Sequence, residues 1–462
     1  MPLFQNVPFD QLEVGMEAEI RRLCISDDLY VFAHASGNLN PLHLPREDGD
    51  GDGHPEAVAP SFWVGSLISA VLGNKLPGPG TLYKSQNLQF HERAHAGDEL
   101  VARVKLIRKE GPRCAVFETS VARTDGTLLV EGEAEVYAPL EKTMFDSHDV
   151  PGLTVESHRH FDALLARAEP LPEMRTAVVA PEETNSLRGA LLAAEHTLIK
   201  PILIGDESRI HSTAKELEMS LDTVEIIHCE SHIEAAQLAV TMVNEGRAAA
   251  IMKGHLHTDD LLRPILRSNG GLKTGRRLSH IFVMDVPGLS HLLMVTDAAI
   301  NIAPDLPTKV DIVQNAIDLA ISLGLDTPKV GVLSAVETIN PQIPSTLDAA
   351  ALSKMAERGQ ITGGIVDGPL AMDNAVSLSA ARTKGLKSLV AGKAEILVVP
   401  NLESGNMLAK ELSFIAHAEA AGVVIGARCP IILNSRSDSD KSRLASCAVA
   451  ALHAARLRGG VS

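Results

Sequence analysis

Val58-Ala59-Pro60-Ser61-Phe62-Trp63-Val64-Gly65-Ser66-Leu67-Ile68-Ser69-Ala70-Val71-Leu72-Gly73 is an apolar stretch whose large residues recur at helical spacing. Gly73-Asn74 and the breaker run Pro77-Gly78-Pro79-Gly80 close it. Four strand-like runs follow, at residues 81–90, 100–108, 115–123 and 127–137. A lone apolar helix ahead of a strand meander is an element order that suits a sheet curled around the helix. The fold class expected for this part is α+β, a curved antiparallel sheet wrapped on a single helix.

Upstream stands Phe32-Ala33-His34-Ala35-Ser36-Gly37-Asn38-Leu39-Asn40-Pro41-Leu42-His43, rich in turn formers. The loop resembles the (R)-specific enoyl-CoA hydratase signature of the MaoC-like family, Ser-Gly-Asp-x-Asn-Pro-Leu-His. Ser36, Gly37, Asn40, Pro41, Leu42 and His43 match it, and Asn38 stands where that family has its catalytic Asp. The resemblance implies a hotdog domain over residues 1–140, with His43 and Asn38 as its site residues. Hydration needs a base to activate water, and an amide can orient water without taking its proton. The resemblance therefore implies a hotdog fold with weakened hydratase chemistry.

At 462 residues the chain suits two or three domains. Aromatic residues make up only 3%, so the cores must be built from Ala, Val, Ile and Leu. A formal net charge of −16 argues against a nucleic-acid or anionic-membrane surface. Cys24, Cys114, Cys229, Cys429 and Cys447 form no Cys-x-x-Cys pair, which suits a reducing cytoplasm. No apolar run is long enough to span a bilayer, and the N-terminus lacks a basic start followed by an apolar core.

Residues 141–172 lose periodicity and gather charge, His and Pro, and read as a linker with one short helix over 161–168. Beyond it the rhythm changes. Short apolar strands near 176–180, 201–204, 224–227, 249–252, 330–334, 364–366, 396–399 and 431–433 alternate with helical stretches such as 186–198, 235–246 and 310–323. That alternation predicts an α/β module with a mainly parallel sheet. The number of units suggests two lobes, 173–305 with 425–460 and 306–424. Ligands in such folds sit beyond the carboxyl ends of the strands.

Several loops of this module form an ordered series: Met252-Lys253-Gly254-His255-Leu256-His257-Thr258, Gly270 to Ser279, Thr296-Asp297-Ala298-Ala299-Ile300-Asn301, Asp367-Gly368-Pro369-Leu370, Pro400 to Asn406, and Ser435-Arg436-Ser437-Asp438-Ser439. Over about residues 173–458 the series resembles the phosphate acetyltransferase/phosphate butyryltransferase family. The pairing with a hotdog domain resembles proteins described as bifunctional enoyl-CoA hydratase/phosphate acetyltransferase. The resemblance implies reversible transfer of an acyl group between coenzyme A and inorganic phosphate, with both as substrates, no permanently bound cofactor and no metal. It also implies acyl-CoA and acyl phosphate as small-molecule partners, and a homodimer or higher homo-oligomer.

By the same resemblance Ser435 would stabilise the transition state and Arg436 would hold phosphate, or the phosphate end of coenzyme A. The family's base Asp falls on Ser442 by direct count; Asp438 and Asp440 lie nearby, and either Asp438 takes the proton or substrate positioning does most of the work. Ser437, Asp438 and Ser439 also read as the cap of a helix over 444–452, and a capped helix start is itself an anion site. Lys253 follows a strand, and Gly254 permits close backbone approach to phosphate. Thr258 could add a hydroxyl donor, and Arg263, Lys273, Arg276 and Arg277 supply further cations.

Two matches are set aside. His91-Glu92-Arg93-Ala94-His95 has zinc-protease spacing but ends a strand run and leads into a turn, where no helix presents both rings. Asp48-Gly49-Asp50-Gly51-Asp52-Gly53 mimics a calcium loop, but its required Glu falls on Ala59. Two other readings of the whole chain remain. The hotdog could be a non-catalytic acyl-CoA-binding or dimerising module. The α/β module could be a decarboxylating dehydrogenase, although no Gly-x-Gly-x-x-Gly lies in a strand–turn–helix context.

Overall fold

Residues 3–44, 57–146, 153, 155, 158–435 and 438–459 are described by the computed structural model, which divides into two units, Met1–Val155 and Glu156–Ser462. The first unit runs β1 (Leu3–Gln5), β2 (Glu17–Leu23), α1 (Ser26–Ser36), α2 (Ser61–Asn74), β3 (Leu82–Gln86), β4 (Gln89–Phe90), β5 (Glu99–Glu110), β6 (Cys114–Arg123), β7 (Leu128–Tyr137) and β8 (Met144–Asp146). The central helix starts at Ser61 because Pro60 is the extended N-cap, and Val58 bridges His95 instead. The sheet order is β2-β5-β6-β7-β3, every pairing is antiparallel, and β4 adds to β7.

Alternation along β5 buries Leu100, Ala102, Val104 and Leu106 and exposes Arg103 and Lys105. The buried set joins Trp63, Val64, Leu67, Ile68, Val71 and Leu72 of α2 in one core with Phe117 and Val136. Full burial of each large side chain contributes about 1.5–3 kcal/mol. A curved antiparallel sheet around one buried helix is the hotdog fold, as expected.

The linker expected at 141–172 is corrected at both ends. β8 pairs with β1, and the Asn6 amide donates to Pro79 O at 3.0 Å and Glu141 O at 2.9 Å, so residues past 140 belong to the first unit. Helix α3 (Arg159–Ala168) buries Phe161, Leu164 and Ala168 in the core of the second unit. His91 leaves β4 and meets Glu131 of β7 at 2.9 Å, in keeping with a strand end rather than a helix. The acidic run 48–53 lies outside the described residues.

After α3 the second unit continues with β9 (Met174–Val179), α4 (Thr184–Glu195), β10 (Ile199–Gly205), α5 (Glu207–Glu216), β11 (Glu225–His228), α6 (His232–Asn244), β12 (Ala250–Lys253), α7 (Thr258–Ile265), β13 (Ser279–Asp285) and β14 (Leu293–Thr296). Then come α8 (Leu306–Ser322), β15 (Lys329–Leu333), α9 (Pro344–Glu357), β16 (Ile365–Leu370), α10 (Met372–Val376), α11 (Leu378–Thr383), β17 (Ile396–Val398), α12 (Leu402–Phe414), β18 (Glu419–Ile425), β19 (Ile431–Ile432) and α13 (Asp440–Leu457). One sheet of eleven strands holds them, in the order β11-β10-β9-β12-β19-β18-β13-β14-β17-β15-β16.

The pleat of the sheet feeds two cores. Met174 and Val178 of β9 pack with α8 and α13, whereas Ala177 and Val179 pack with the Ala235, Ala236 and Ala239 face of α6. Helices therefore cover both faces, as a mainly parallel sheet requires. The lobe boundary expected at residue 305 is corrected. β13 and β14 hydrogen-bond to β18 and β17, so they belong with the strands of the second half. β13 and β18 are antiparallel to each other, and β18 is antiparallel to β19.

Candidate active site

β12 and β19 are adjacent and parallel, with Met252 opposite Ile432. Their carboxyl ends therefore deliver Lys253 and the segment Leu433-Asn434-Ser435 side by side. A Cβ on Gly254 would lie 2.3 Å from Ala180 O, so only glycine lets the chain turn there. Thr258 opens α7 just beyond. Lys253, Thr258, Asn434, Ser435 and Asp438 line one cleft of about 570 Å³, together with His280 and Phe282 of β13 and Glu419 of β18.

The Ser435 loop is tied down at several points. Asp438 Oδ2 accepts the Ser435 backbone N–H at 2.7 Å, and buried Arg443 donates to Ser435 O at 2.8 Å. Gly189 on α4 leaves room for that arginine, since a Cβ there would meet Arg443 Cδ at 2.9 Å. Ser439 caps α13 by accepting the Ser442 N–H at 3.0 Å, and its hydroxyl donates to Glu419 at 2.6 Å. The Ser442 hydroxyl also donates to Glu419. Burial pushes the Asp438 carboxyl above the usual aspartate range, against the opposing pull of the Ser435 N–H.

Four of the residues singled out by sequence, Lys253, Thr258, Ser435 and Asp438, thus meet in one cleft. Arg436 lies outside the described residues. Arg263 and Arg276 are placed elsewhere. Arg263 is exposed and sits 3.8 Å from Asp260 on its own helix, and Arg276 is ion-paired with Asp318. Neither lines the cleft.

Sequence reasoning passed over Glu419, His280 and Asn434. His280 is fully buried, and burial pushes its imidazole down to about 4, so the ring is neutral near pH 7. Behind it Asp297 accepts the N–H groups of Ala299, Ile300 and Asn301, which fixes the quoted Thr296–Asn301 loop. Buried Cys24, Cys429 and Cys447 have thiols raised to about 12, so none supplies a thiolate at neutral pH.

In the first unit Gly37 adopts φ 73° and ends α1, and Asn38 is exposed, its Oδ1 accepting the Asn40 N–H at 3.3 Å. His43 Nδ1 lies 2.8 Å from Val58 O. A carbonyl only accepts, so Nδ1 carries a proton, and in the neutral ring the lone pair is on Nε2. A groove of about 810 Å³ runs between α1 and α2, lined by Phe32, Trp63 and Leu67 together with the charged Arg21, Arg22 and Asp28. Asn38 and His43 do not line it.

A doubly covered sheet with anion-suited loops at neighbouring strand ends defines an α/β transferase-type site. The family described as phosphate acetyl/butaryl transferase matches residues 230–451. The phosphate acetyltransferase of Rhizobium meliloti is 56% identical over 298 residues, covering 64% of this chain and 94% of that protein. The phosphate butyryltransferase of Clostridium beijerinckii is 40% identical over 298 residues, covering 64% and 99%. The crystal structure of a branched-chain phosphotransacylase from Enterococcus faecalis V583 superposes with TM-score 0.54 at 32% identity, covering 61% of this chain and 99% of that one. This chain belongs to the phosphate acetyl/butyryl transferase family, and its hotdog unit is fused ahead of that module.

Proposed function

We propose that the second unit moves an acetyl- or butyryl-type acyl group reversibly between coenzyme A and inorganic phosphate. The observation that carries this is the meeting of Ser435, Asp438, Lys253 and Thr258 at the ends of two parallel strands. In the direction of thioester formation, the CoA thiol, with a pKa of roughly 8.5, must lose its proton before attacking the acyl phosphate carbonyl. Asp438, made more basic by burial, takes that proton. The Ser435 hydroxyl donates to the tetrahedral oxyanion, and Lys253 with Arg436 receives the leaving phosphate. Coenzyme A and phosphate are substrates, and no bound cofactor enters the scheme. We place the protein in the cytoplasm as a homodimer or larger assembly; no described helix is long and apolar enough to cross a membrane.

The hotdog unit is proposed to receive acyl-CoA thioesters with weakened hydratase activity, because Asn38 cannot accept a proton from water. Incubating the purified chain with acetyl- or butyryl-CoA and phosphate, and trapping acyl phosphate, tests the main reading. Arg436→Ala should lower that rate by orders of magnitude at unchanged thermal stability. An unaltered rate in this variant would remove Arg436 from the scheme.

A further inference from the structure

One carboxamide in the wall of the cleft is unmatched by its described neighbours. Asn434, wedged between Leu433 and Ser435, is 7% exposed, yet among the described residues neither Nδ2 nor Oδ1 has a hydrogen-bond partner. Buried polar atoms are almost always satisfied, and an amide with donor and acceptor both unmet is a destabilising choice. An apolar side chain would fill the same space without that penalty. The position explains the choice. Asn434 faces the main cleft and also a small recess shared with Lys253, Gly254, Ser435 and Arg443. This corner gathers two cations and a glycine that lets a ligand approach the backbone, which is the chemistry of an oxyanion of phosphorus.

Resting on the acyl-transfer reading, we propose that Asn434 is a substrate-binding residue that recognises the protonated form of inorganic phosphate. Its Nδ2 donates to a phosphoryl oxygen, and its Oδ1 accepts the hydrogen of the P–OH group. A group that only donates, such as the Lys253 ammonium, attracts any oxyanion. A carboxamide that must also be satisfied as an acceptor prefers hydrogen phosphate over sulfate, which carries no proton near neutral pH. Rejection by an unpaired buried group is the strong kind of discrimination.

The test is steady-state kinetics of the full chain converting acyl-CoA and phosphate to acyl phosphate, with sulfate as competitor. Asn434→Ala and Asn434→Leu should raise the KM for phosphate on the order of tenfold. The KM for acyl-CoA should hold within about twofold, and the preference for phosphate over sulfate should shrink by a similar factor. Both variants should melt no lower than the wild type, since no partner is lost. An unchanged phosphate KM and phosphate-to-sulfate preference, or a loss falling on acyl-CoA instead, overturns the proposal. If both variants misfold, calorimetric titration of the wild type with phosphate and with sulfate decides, and equal affinities overturn it. A wild type without phosphate-dependent thioester cleavage sinks the acyl-transfer reading itself, whereas an active wild type with indifferent variants sinks only the role of Asn434.

Discussion

The carboxylate of Asp438 reaches back three residues to the Ser435 backbone N–H, 2.7 Å away, and so shapes the loop that carries the Ser435 hydroxyl. Loop shape and proton transfer can be separated at this residue. Asp438→Asn keeps an oxygen acceptor for Ser435 but has no site for the thiol proton. We expect kcat for thioester formation to fall about 10²–10⁴-fold, with the KM for acyl phosphate little changed. Because burial raises the Asp438 pKa, the wild-type rate should decline as pH falls through a value above the ordinary ~3.9 of aspartate. That limb should vanish in Asp438→Asn. A variant retaining both rate and limb removes Asp438 as base.

Ser442 and Glu419 make a second separable pair. Both Ser439 and Ser442 donate hydroxyls to the Glu419 carboxylate, so a carboxylate at 442 would face a like charge. Ser442→Asp should therefore destabilise the chain by about 1–3 kcal/mol. Adding Glu419→Gln should recover much of the loss. Chemical denaturation of the single and double variants measures it, and additive effects would show that the two side chains do not communicate.

Two buried histidines give the second unit an acid sensitivity. His280 and His453 are both pushed down to about 4 by burial, and His453 is hydrogen-bonded to Ser322 at 2.9 Å. In the unfolded chain each titrates near ~6.5. The unfolded state therefore binds the extra protons first, and the stability present above pH 6.5 is lost as pH falls toward 4. Each ring should contribute a slope of about 1.4 kcal/mol per pH unit in that window. Unfolding midpoints between pH 7 and 4.5 should drop less steeply in His453→Phe, and identical slopes would place the effect elsewhere.

The hotdog loop offers a gain-of-function test. Asn38→Asp restores a proton acceptor five residues before His43, whose Nε2 lone pair is left available by the Val58 bond. We expect hydration of crotonyl-CoA to rise at least about tenfold over the parent chain. If neither form hydrates crotonyl-CoA, the first unit is a binding or assembly module.

Much of the architecture was legible because periodicity reports burial directly. The apolar spacing around Trp63 and Ile68 gave the central helix, and the short apolar runs gave the parallel strands. The antiparallel β13 and β18 were not foreseen: Ser279–Asp285 and Glu419–Ile425 are buried on both faces, and an apolar run carries no strand direction. The short β8 and the helix α3 were hidden by the Pro- and charge-rich text around them. Lys253 could be found because it ends an apolar strand ahead of a glycine, whereas Ser435 and Asp438 came from the resemblance of their loop to the acyltransferase family. Glu419, His280 and Asn434 could not, since each acquires its surroundings only from strands distant in sequence. Arg263, on helix α7, and the loop residue Arg276 lie outside the cleft, and a cation read in sequence shows no sign of the acid beside it in space.

The position of β18 and β19 has a consequence for how the chain is made. These two strands, made after the others of this sheet, fill its middle, between β12 and β13. Until they do, the earlier strands can form only two half-sheets with raw inner edges, and Lys253 waits without its counterpart loop. A chain ending before Glu419 would therefore be both inactive and sticky, so that competence for acyl transfer arrives together with the capping of those edges.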